Sequence, residues 1–138
     1  MTTSAIRLVL EPRFSTKWAA ATPIAWENLD YTPVSGTTYV TFRIIPNSGN
    51  FASLGHHPLV RTLGMIEINI MTPFDGRSGA EPGNVLADNA IAIFKDSTGR
   101  GWKSSGITCE AGYLMDSRQE GDWYRHIVLV EFQYNEYF

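Results

Sequence analysis

Residues 64–71 have the sequence Gly64-Met65-Ile66-Glu67-Ile68-Asn69-Ile70-Met71. Three isoleucines alternate here with polar residues, and strict alternation of β-branched side chains is typical of a strand that buries one face. We therefore predict a half-buried strand, with the isoleucines inside and Glu67 and Asn69 outside. Pro73 ends it, because proline cannot donate a hydrogen bond to a neighbouring strand.

The segments on either side of this stretch predict further strands. Residues 38–45 are rich in β-branched and aromatic side chains, and Pro46 is expected to end their strand. A short extended piece covers residues 24–26. After the second helix, residues 106–115 and 123–134 predict two more strands, joined by a polar turn from Asp116 to Asp122.

Two segments have the periodicity of helices. Residues 3–21 place large apolar side chains every four residues, at Ile6, Leu10, Phe14 and Trp18. Pro12 either kinks this helix or marks a start near Glu11, and the unbroken apolar stripe favours the kink. A second helix begins at Pro82 and ends before Ser97 and Gly99. Its predicted apolar stripe consists of Leu86, Asn89/Ala90, Ile93 and Phe94, with Val85 beside it.

The order of these elements, α-β-β-β-α-β-β, predicts an α+β fold. We expect a mostly antiparallel sheet of four to five strands, with both helices packed on it, because strands that follow one another through loops usually pair. The 138 residues fit a single domain, 1–138. A small sheet has exposed edges, and pairing with a neighbouring copy would cover them, which favours an oligomer.

Composition excludes several classes of function. The net charge is −3 and no basic stripe occurs, which argues against nucleic-acid binding as the primary role. Charged residues make up 18% and aromatic residues 12%. That balance fits either a protein contact surface or an aromatic core. Neither a signal peptide pattern nor an apolar run of membrane-helix length is present, so synthesis in the cytoplasm is expected.

No constellation of residues predicts catalysis or a cofactor. His56 and His57 are adjacent in an irregular loop without a spaced metal-ligand partner, and His126 lies within a predicted strand. Cys109 is the single cysteine and is expected in the core. Three acidic residues near the second helix form a weak candidate for a carboxylate pair: Asp75, Glu81 and Asp88. The helix dipole is the simpler explanation for Glu81, in the first turn.

Several short stretches, in order, resemble the phage tail terminator-like family of small phage-related domains. They are Pro23-Ile24-Ala25-Trp26-Glu27-Asn28, Tyr31-Thr32-Pro33, Gly36-Thr37-Thr38-Tyr39-Val40, the strand at 64–70 with Pro73 and the Gly76–Gly79 loop, Ala87-Asp88 before Ile93-Phe94, and Asp122-Trp123-Tyr124-Arg125. Together they span most of the chain. Pro12 departs from the unbroken first helix of the family.

The resemblance implies a structural virion protein without a catalytic site, cofactor or metal. Its expected form is a ring of six copies at the tail–neck junction of a siphophage, with DNA only passing through the lumen and no membrane contact. The expected partners are the tail tube protein, whose polymerisation the ring stops, and a head-completion or neck protein. The loops at 46–62 and 73–81 would supply the assembly residues: Asn47, Asn50, Phe51, His56, His57, Arg61, Asp75 and Arg77.

Three other interpretations remain open at this point. The protein could be a different head–tail connector or minor tail protein. It could be a small hydrolase or metal enzyme that uses His56 and His57, or a monomeric protein that binds one host partner. Self-association, bound metal and position in the virion discriminate among them.

Overall fold

The computed structural model describes residues 2–19, 21–27, 29–51, 55, 59–74 and 79–137. Within those ranges the chain forms two helices and seven strands. In chain order they are α1 (Thr2–Trp18), β1 (Ile24–Trp26), β2 (Tyr39–Phe51), β3 (Leu59–Pro73), α2 (Glu81–Ile93), β4 (Lys103–Ser104), β5 (Ile107–Cys109), β6 (Tyr113–Glu120) and β7 (Trp123–Tyr137). The predicted α+β class is confirmed, with one helix before and one after the first three strands.

The seven strands form one sheet in the order β1-β2-β3-β7-β5-β4, and β6 pairs with β7 beside β5. The β1–β2 pair is parallel and the other described pairs are antiparallel. Ile68 lies opposite Phe42 on one side and Val128 on the other, so the stretch at 64–71 occupies the middle of the sheet. This central position explains why its alternation is the clearest in the sequence.

The sheet has more strands than the four to five predicted. Residues 106–115 do not form one strand: β5 pairs with residues 132–134 of β7, whereas β6 pairs with residues 123–129. The chain leaves the ladder between them, where a side chain at Gly112 would come within 2.8 Å of Val130. The turn expected from Asp116 to Asp122 is also much shorter, because β6 continues to Glu120 and Gly121 turns with a φ of +62°.

Pro46 does not end the first long strand, and the loop predicted at 46–62 is therefore mostly a hairpin. β2 continues to Phe51 and β3 begins at Leu59. The pairing shifts register between Pro46 and Ser48, as a β-bulge does, and β1 covers β2 only at Val40–Phe42. Proline is tolerated at a bulge on an outer strand, because no ladder hydrogen bond is lost there.

Helix α1 runs through Pro12, so the alternative start near Glu11 is wrong. It ends at Trp18 rather than at residue 21, because Ala19 takes a left-handed conformation with φ of 53°. The predicted stripe is confirmed, since Ile6, Leu10, Phe14 and Trp18 are all buried. The Phe14 ring stacks on Phe42 at 4.9 Å between centroids, which anchors the helix to the sheet.

Helix α2 buries a face that differs partly from the predicted one. Its buried residues are Gly83, Ala87, Ala90 and Ile93. Val85 is 49% exposed and Asn89 is also exposed, so the prediction that they belong to the apolar stripe of this helix is wrong. Small residues at Gly83 and Ala87 let the helix approach the sheet closely, and a pattern based on large apolar side chains overlooks them. Among the described residues, no helix is long and apolar enough to span a membrane.

Candidate assembly surfaces

The two faces of the sheet carry different residues. Side chains from β2, β3 and β7 form one core with both described helices, and we call this side the helix face. The opposite side, which we call the open face, carries Thr41, Arg43, Glu67, Asn69 and Arg125. In the described part of the chain no helix packs on it. It is nevertheless partly covered, since Asn69 and the strand partners Ile127 and Leu129 are buried there.

A hydrogen-bonded network centres on Arg125 of the open face. Its Nε donates to Oδ1 of Asn69 at 3.0 Å, and its Nη1 donates to Oε2 of Glu120 at 3.2 Å. Its Nη2 lies 3.5 Å from Oε1 of Glu67. The Asn69 amide donates in turn to Oγ1 of Thr41 at 2.9 Å. The alternation at 64–71 predicted polar residues on this side, but their partners depend on strand register, which the sequence alone does not give.

The far end of the β2–β3 hairpin contains four of the predicted assembly residues. Asn47 is exposed within the bulge, and Asn50 pairs with Arg61 across the two strands, with Phe51 next to it in β2. Arg61 is exposed and its Nε donates to Oδ1 of Asn135 at 3.1 Å. These residues therefore belong to an ordered strand pair rather than to an irregular loop.

The other four predicted assembly residues, His56, His57, Asp75 and Arg77, lie outside the described residues. In the sequence, His56 and His57 precede Leu59, where β3 begins, and Asp75 and Arg77 follow Pro73, where β3 ends. The carboxylate pair of Asp75 with Glu81 or Asp88 stays a prediction, since Asp75 is one of these four residues. Its other members, Glu81 and Asp88, lie on the exposed side of α2.

One edge of the sheet is formed by β6. Almost all of β6 is exposed, and its first three residues are apolar. Tyr113, Leu114 and Met115 are 44%, 41% and 51% exposed. The strand pairs with β7 on one side only. Three neighbouring apolar side chains on an open strand are a feature of contact sites between chains.

The opposite edge is formed by β1 and the outer side of α1. Leu8 and Leu29 are the most exposed of the large apolar side chains described, at 73% and 66%. Both border the half-buried Trp26: Leu8 in a hollow of about 380 Å³ and Leu29 in an adjacent one of about 540 Å³. Arg7 and Glu11 line both hollows, and Arg7 forms ion pairs with both Glu11 and Glu27 between the two leucines.

Arg13 joins α1 to the end of α2. Its Nε and Nη2 donate to the backbone carbonyls of Ile93 and Lys95 at 3.0 and 3.2 Å, and the guanidinium lies 4.7 Å from the centre of the Trp102 ring. These bonds satisfy carbonyl groups that a helix end leaves without partners. A groove of about 660 Å³ lies beside this contact and is also lined by Lys17, Lys95 and Asp96.

His126 is fully buried on the helix face, as expected for a structural residue. In the part of the chain that the structure describes, neither ring nitrogen has a hydrogen-bond partner. Burial lowers the pKa of His126 below its ordinary value, because the charged imidazolium is disfavoured in the core. A side chain at Gly83 would put its Cβ 2.1 Å from the His126 ring, so the helix needs glycine there.

The described residues offer little for catalysis. Cys109 is buried in the core as predicted, and burial raises the pKa of its thiol to about 12. The thiol therefore stays protonated and is a poor nucleophile. Across the ranges 2–19, 21–27, 29–51, 59–74 and 79–137, no three His, Cys, Asp or Glu side chains are grouped to hold a metal ion.

Comparison with known families gives the class of protein. The model of a family described as "Phage tail terminator protein" matches residues 5–132, which is nearly the whole chain. The chain belongs to the phage tail terminator family. The resemblance found in the sequence is thereby confirmed. This is a structural, non-enzymatic family, so the protein is a structural component of a phage tail and hence of the virion.

The fold is also found among solved structures. One of them, a protein that carries only a serial identifier as its name, superposes with a TM-score of 0.70 at 19% sequence identity. The match covers 100% of this chain and 98% of the other. At this identity it shows that the α+β tail terminator chain shares a fold with that protein. Among curated proteins, no match is found.

Proposed function

We propose that the protein is the tail terminator itself: a ring of six copies that caps the tail tube, stops its polymerisation and joins the tail to the head. The family match over residues 5–132 carries this proposal. On this proposal the protein has no enzymatic activity, and its partners are further copies of itself, the tail tube protein and a head-completion protein. Its place in the virion is the tail–neck junction.

The positions of the exposed surfaces on the subunit support this role. A ring needs a contact on each side of the subunit, whereas a cap also needs one axial surface toward the tube and another toward the head. The exposed apolar side chains at β1 and β6 lie at opposite edges of the sheet. The predicted assembly residues Asn47, Asn50, Phe51 and Arg61 lie at one end of the β2–β3 strand pair. Separate contact regions of this kind suit a protein that joins two structures while closing on itself.

The charge distribution supports a lumen through which DNA passes without being held. A protein that binds DNA tightly releases counterions by placing several Lys and Arg side chains on phosphates. The net charge of −3 offers no such surplus. On the open face, Arg43 and Arg125 are paired with Glu67 and Glu120, so they do not form a free basic surface.

Polymerisation of purified tail tube protein, followed by electron microscopy, tests the proposal. We expect tubes to stop growing when the protein is added and to carry one ring at one end. A phage that lacks this gene should produce tails of uncontrolled length without heads. Tubes that grow unchanged in its presence, or virions that contain no copy of it, would rule out this function.

Paired charge reversals refine the test. Arg61→Glu alters the hairpin end, whereas Lys103→Glu makes the same change on exposed β4. We expect Arg61→Glu to reduce tube capping with little change in melting temperature, because exposed substitutions cost about 0.5 kcal/mol or less. Lys103→Glu should leave capping intact. Equal loss of capping and of melting temperature in Arg61→Glu would show that this end is structural. A ring seen elsewhere along the virion would assign the protein to another connector of the tail.

A further inference from the structure

The buried histidine of β7 has no part in the proposed assembly role. His126 is 0% exposed, and within the described part of the chain neither of its ring nitrogens has a hydrogen-bond partner. A neutral imidazole has one N–H donor and one acceptor, and an unpaired polar group in a core costs free energy. An apolar side chain would fill the same space without this cost. Packing alone therefore does not explain why this position carries a titratable ring.

The first turn of α2 lies directly against this ring. A Cβ on Gly83 would come within 2.1 Å of the ring carbon Cε1 and 2.4 Å of Nδ1, so the helix backbone touches the imidazole. Ala80 provides no side-chain cap for the helix, and Pro82 follows in the first turn. The unpaired amides at the start of a helix carry a partial positive charge. Protonation of the ring would therefore place a second positive charge beside the first.

Among the described residues, none that faces the ring supplies a negative charge to balance a proton. The residues that face it from the strands are uncharged: Ile70 of β3, Ser117 of β6 and Tyr124 of β7. On β6, Asp116 and Arg118 pair with open-face residues of β7 instead. Glu81 is the acidic residue in the first turn of α2, but it is exposed and makes no hydrogen bond to the ring. An imidazolium at this position would thus be both buried and unpaired.

The two halves of α2 are held to the sheet by different amounts of side chain. The first half buries Gly83 and Ala87, which have little or no side chain, and Leu86 beside them is only partly buried. The second half leads into Phe94, whose buried ring stacks on two other phenylalanine rings of the core. Arg13 also donates to two backbone carbonyls at that end. Segments with few buried apolar contacts open most easily, so α2 should open first at its start.

From these observations we propose that His126 is a pH-sensitive switch for α2. While the ring is neutral, residues 81–87 lie on the sheet; when the ring takes up a proton, they separate from it and the second half of the helix stays in place. The lowered pKa that burial gives His126 agrees with this direction. The closed helix is fully stabilised above the open-state pKa of about 6.5, and each pH unit below it raises the opening equilibrium about tenfold until the folded pKa is reached. The inference concerns the fold of one subunit and does not depend on the proposed ring.

Hydrogen exchange of individual amides, measured by NMR at pH 7.5 and 5.5, tests the switch. Protection factors correct for the pH dependence of the intrinsic exchange rate and report the opening equilibrium. We expect those of Val85, Leu86 and Ala87 to fall about tenfold, because pH 5.5 lies about one unit below the open-state pKa. At both pH values they should lie about tenfold or more below those of Ile68 in β3 and also below that of Ile93, since the first half of α2 opens by itself.

The variant His126→Leu separates the titrating ring from its surroundings. Leucine does not titrate, so the protection of residues 85–87 should change less than about twofold between the two pH values. If circular dichroism shows that His126→Leu does not fold, His126→Val tests the same point. The matched control is the double variant His56→Gln/His57→Gln, which removes the other two histidines of the chain. It should keep the tenfold change.

Three outcomes would overturn the switch. Protection of residues 85–87 equal to that of Ile68 at both pH values would mean that α2 opens only when the whole domain unfolds. Protection of residues 85–87 that does not change between pH 7.5 and 5.5 would mean that the ring does not control the helix. A tenfold fall that persists in His126→Leu would assign the pH dependence to other groups. Each of these results is independent of whether the protein caps tail tubes.

Discussion

The two faces of the sheet use the same strands but depend on different interactions. On the helix face, Ile66, Ile68 and Ile70 are completely buried under α1 and α2. On the open face, Glu67 and Asn69 of the same strand hold a hydrogen-bonded network around Arg125. Burial of apolar surface contributes about 25 cal/mol per Å², whereas ion pairs near the surface contribute little. The helix face should therefore supply most of the stability, and the open face should tolerate change.

The largest expected effect comes from a charge on the helix face. Ile68→Asp should unfold the subunit, because an unpaired carboxylate in the centre of the core costs on the order of 5 kcal/mol. Circular dichroism during heating measures the loss. The substitution Val85→Asp is the control, since it introduces the same carboxylate at a position of α2 that is 49% exposed. A soluble Ile68→Asp protein that melts cooperatively near the normal temperature would show that the faces are assigned wrongly.

A smaller loss of stability is expected from a substitution at the contact between α2 and the helix face. Gly83→Ala should destabilise by about 1–3 kcal/mol, because the new Cβ would lie 2.1 Å from the His126 ring. The gain of about 1 kcal/mol that alanine brings to a helix offsets only part of this cost. Urea unfolding measures the difference, with exposed Val85→Ala as the control. The double variant Gly83→Ala/His126→Val should recover stability, and strict additivity would contradict a direct clash.

The same histidine makes the helix face sensitive to pH. Burial lowers the folded pKa of His126 below the unfolded value of about 6.5, so the folded state binds fewer protons near that pH. Its stabilising contribution is present above pH 6.5 and is lost as the pH falls through that value toward the folded pKa. The residues that face the ring are Gly83 of α2, Tyr124, and the strand partners Ile70 and Ser117, none of which is charged.

Unfolding free energies at pH 7.5 and 5.5 test this sign. His126→Leu removes the titrating ring, so the protein with His126 should lose more stability between the two values than the variant does. Carboxylates titrate equally in both proteins and cancel in the comparison. An equal loss in the two proteins would show that His126 is not held neutral.

The smallest effects are expected on the open face. Arg125→Ala should cost about 1–2 kcal/mol, because Asn69 and Glu67 lose a partner on a partly buried surface. Arg43→Ala should cost less than about 0.5 kcal/mol, since Arg43 is 60% exposed and lies 3.7 Å from Glu67. Thermal melting of the two variants ranks them. A larger loss for Arg43 than for Arg125 would mean that the network does not centre on Arg125.

Much of the fold was predictable because its strongest signals come from burial. The alternation at 64–71 and the stripe Ile6, Leu10, Phe14, Trp18 both reflect a single face that packs on the core, and both predictions were correct. The extent of the strands was not predictable in the same way. Ser48, Gly49 and Asn50 give no alternation, yet they extend β2 because they pair with Leu63, Thr62 and Arg61 of β3. Pairing of this kind depends on a distant segment and leaves little trace in local composition.

The assembly surfaces were harder to predict than the fold. Loop composition predicted assembly residues in two loops, at 46–62 and 73–81. Four of those residues, Asn47, Asn50, Phe51 and Arg61, belong instead to strands β2 and β3. The apolar group Tyr113-Leu114-Met115 was interpreted as part of a strand without regard to exposure. An apolar side chain on an edge strand has the same sequence signature as one in the core, and only the sheet order separates the two. Leu8 was likewise hidden within a helix whose buried stripe was identified correctly.

The contact between Gly83 and His126 has a consequence for how members of this family vary. The two positions are far apart in sequence but share one volume, so neither can change in size independently. A relative that carries alanine or serine at the position of Gly83 should carry a side chain smaller than histidine at the position of His126. Relatives that keep the histidine should keep the glycine, which makes this pair a covariation that an alignment can detect before any protein is made.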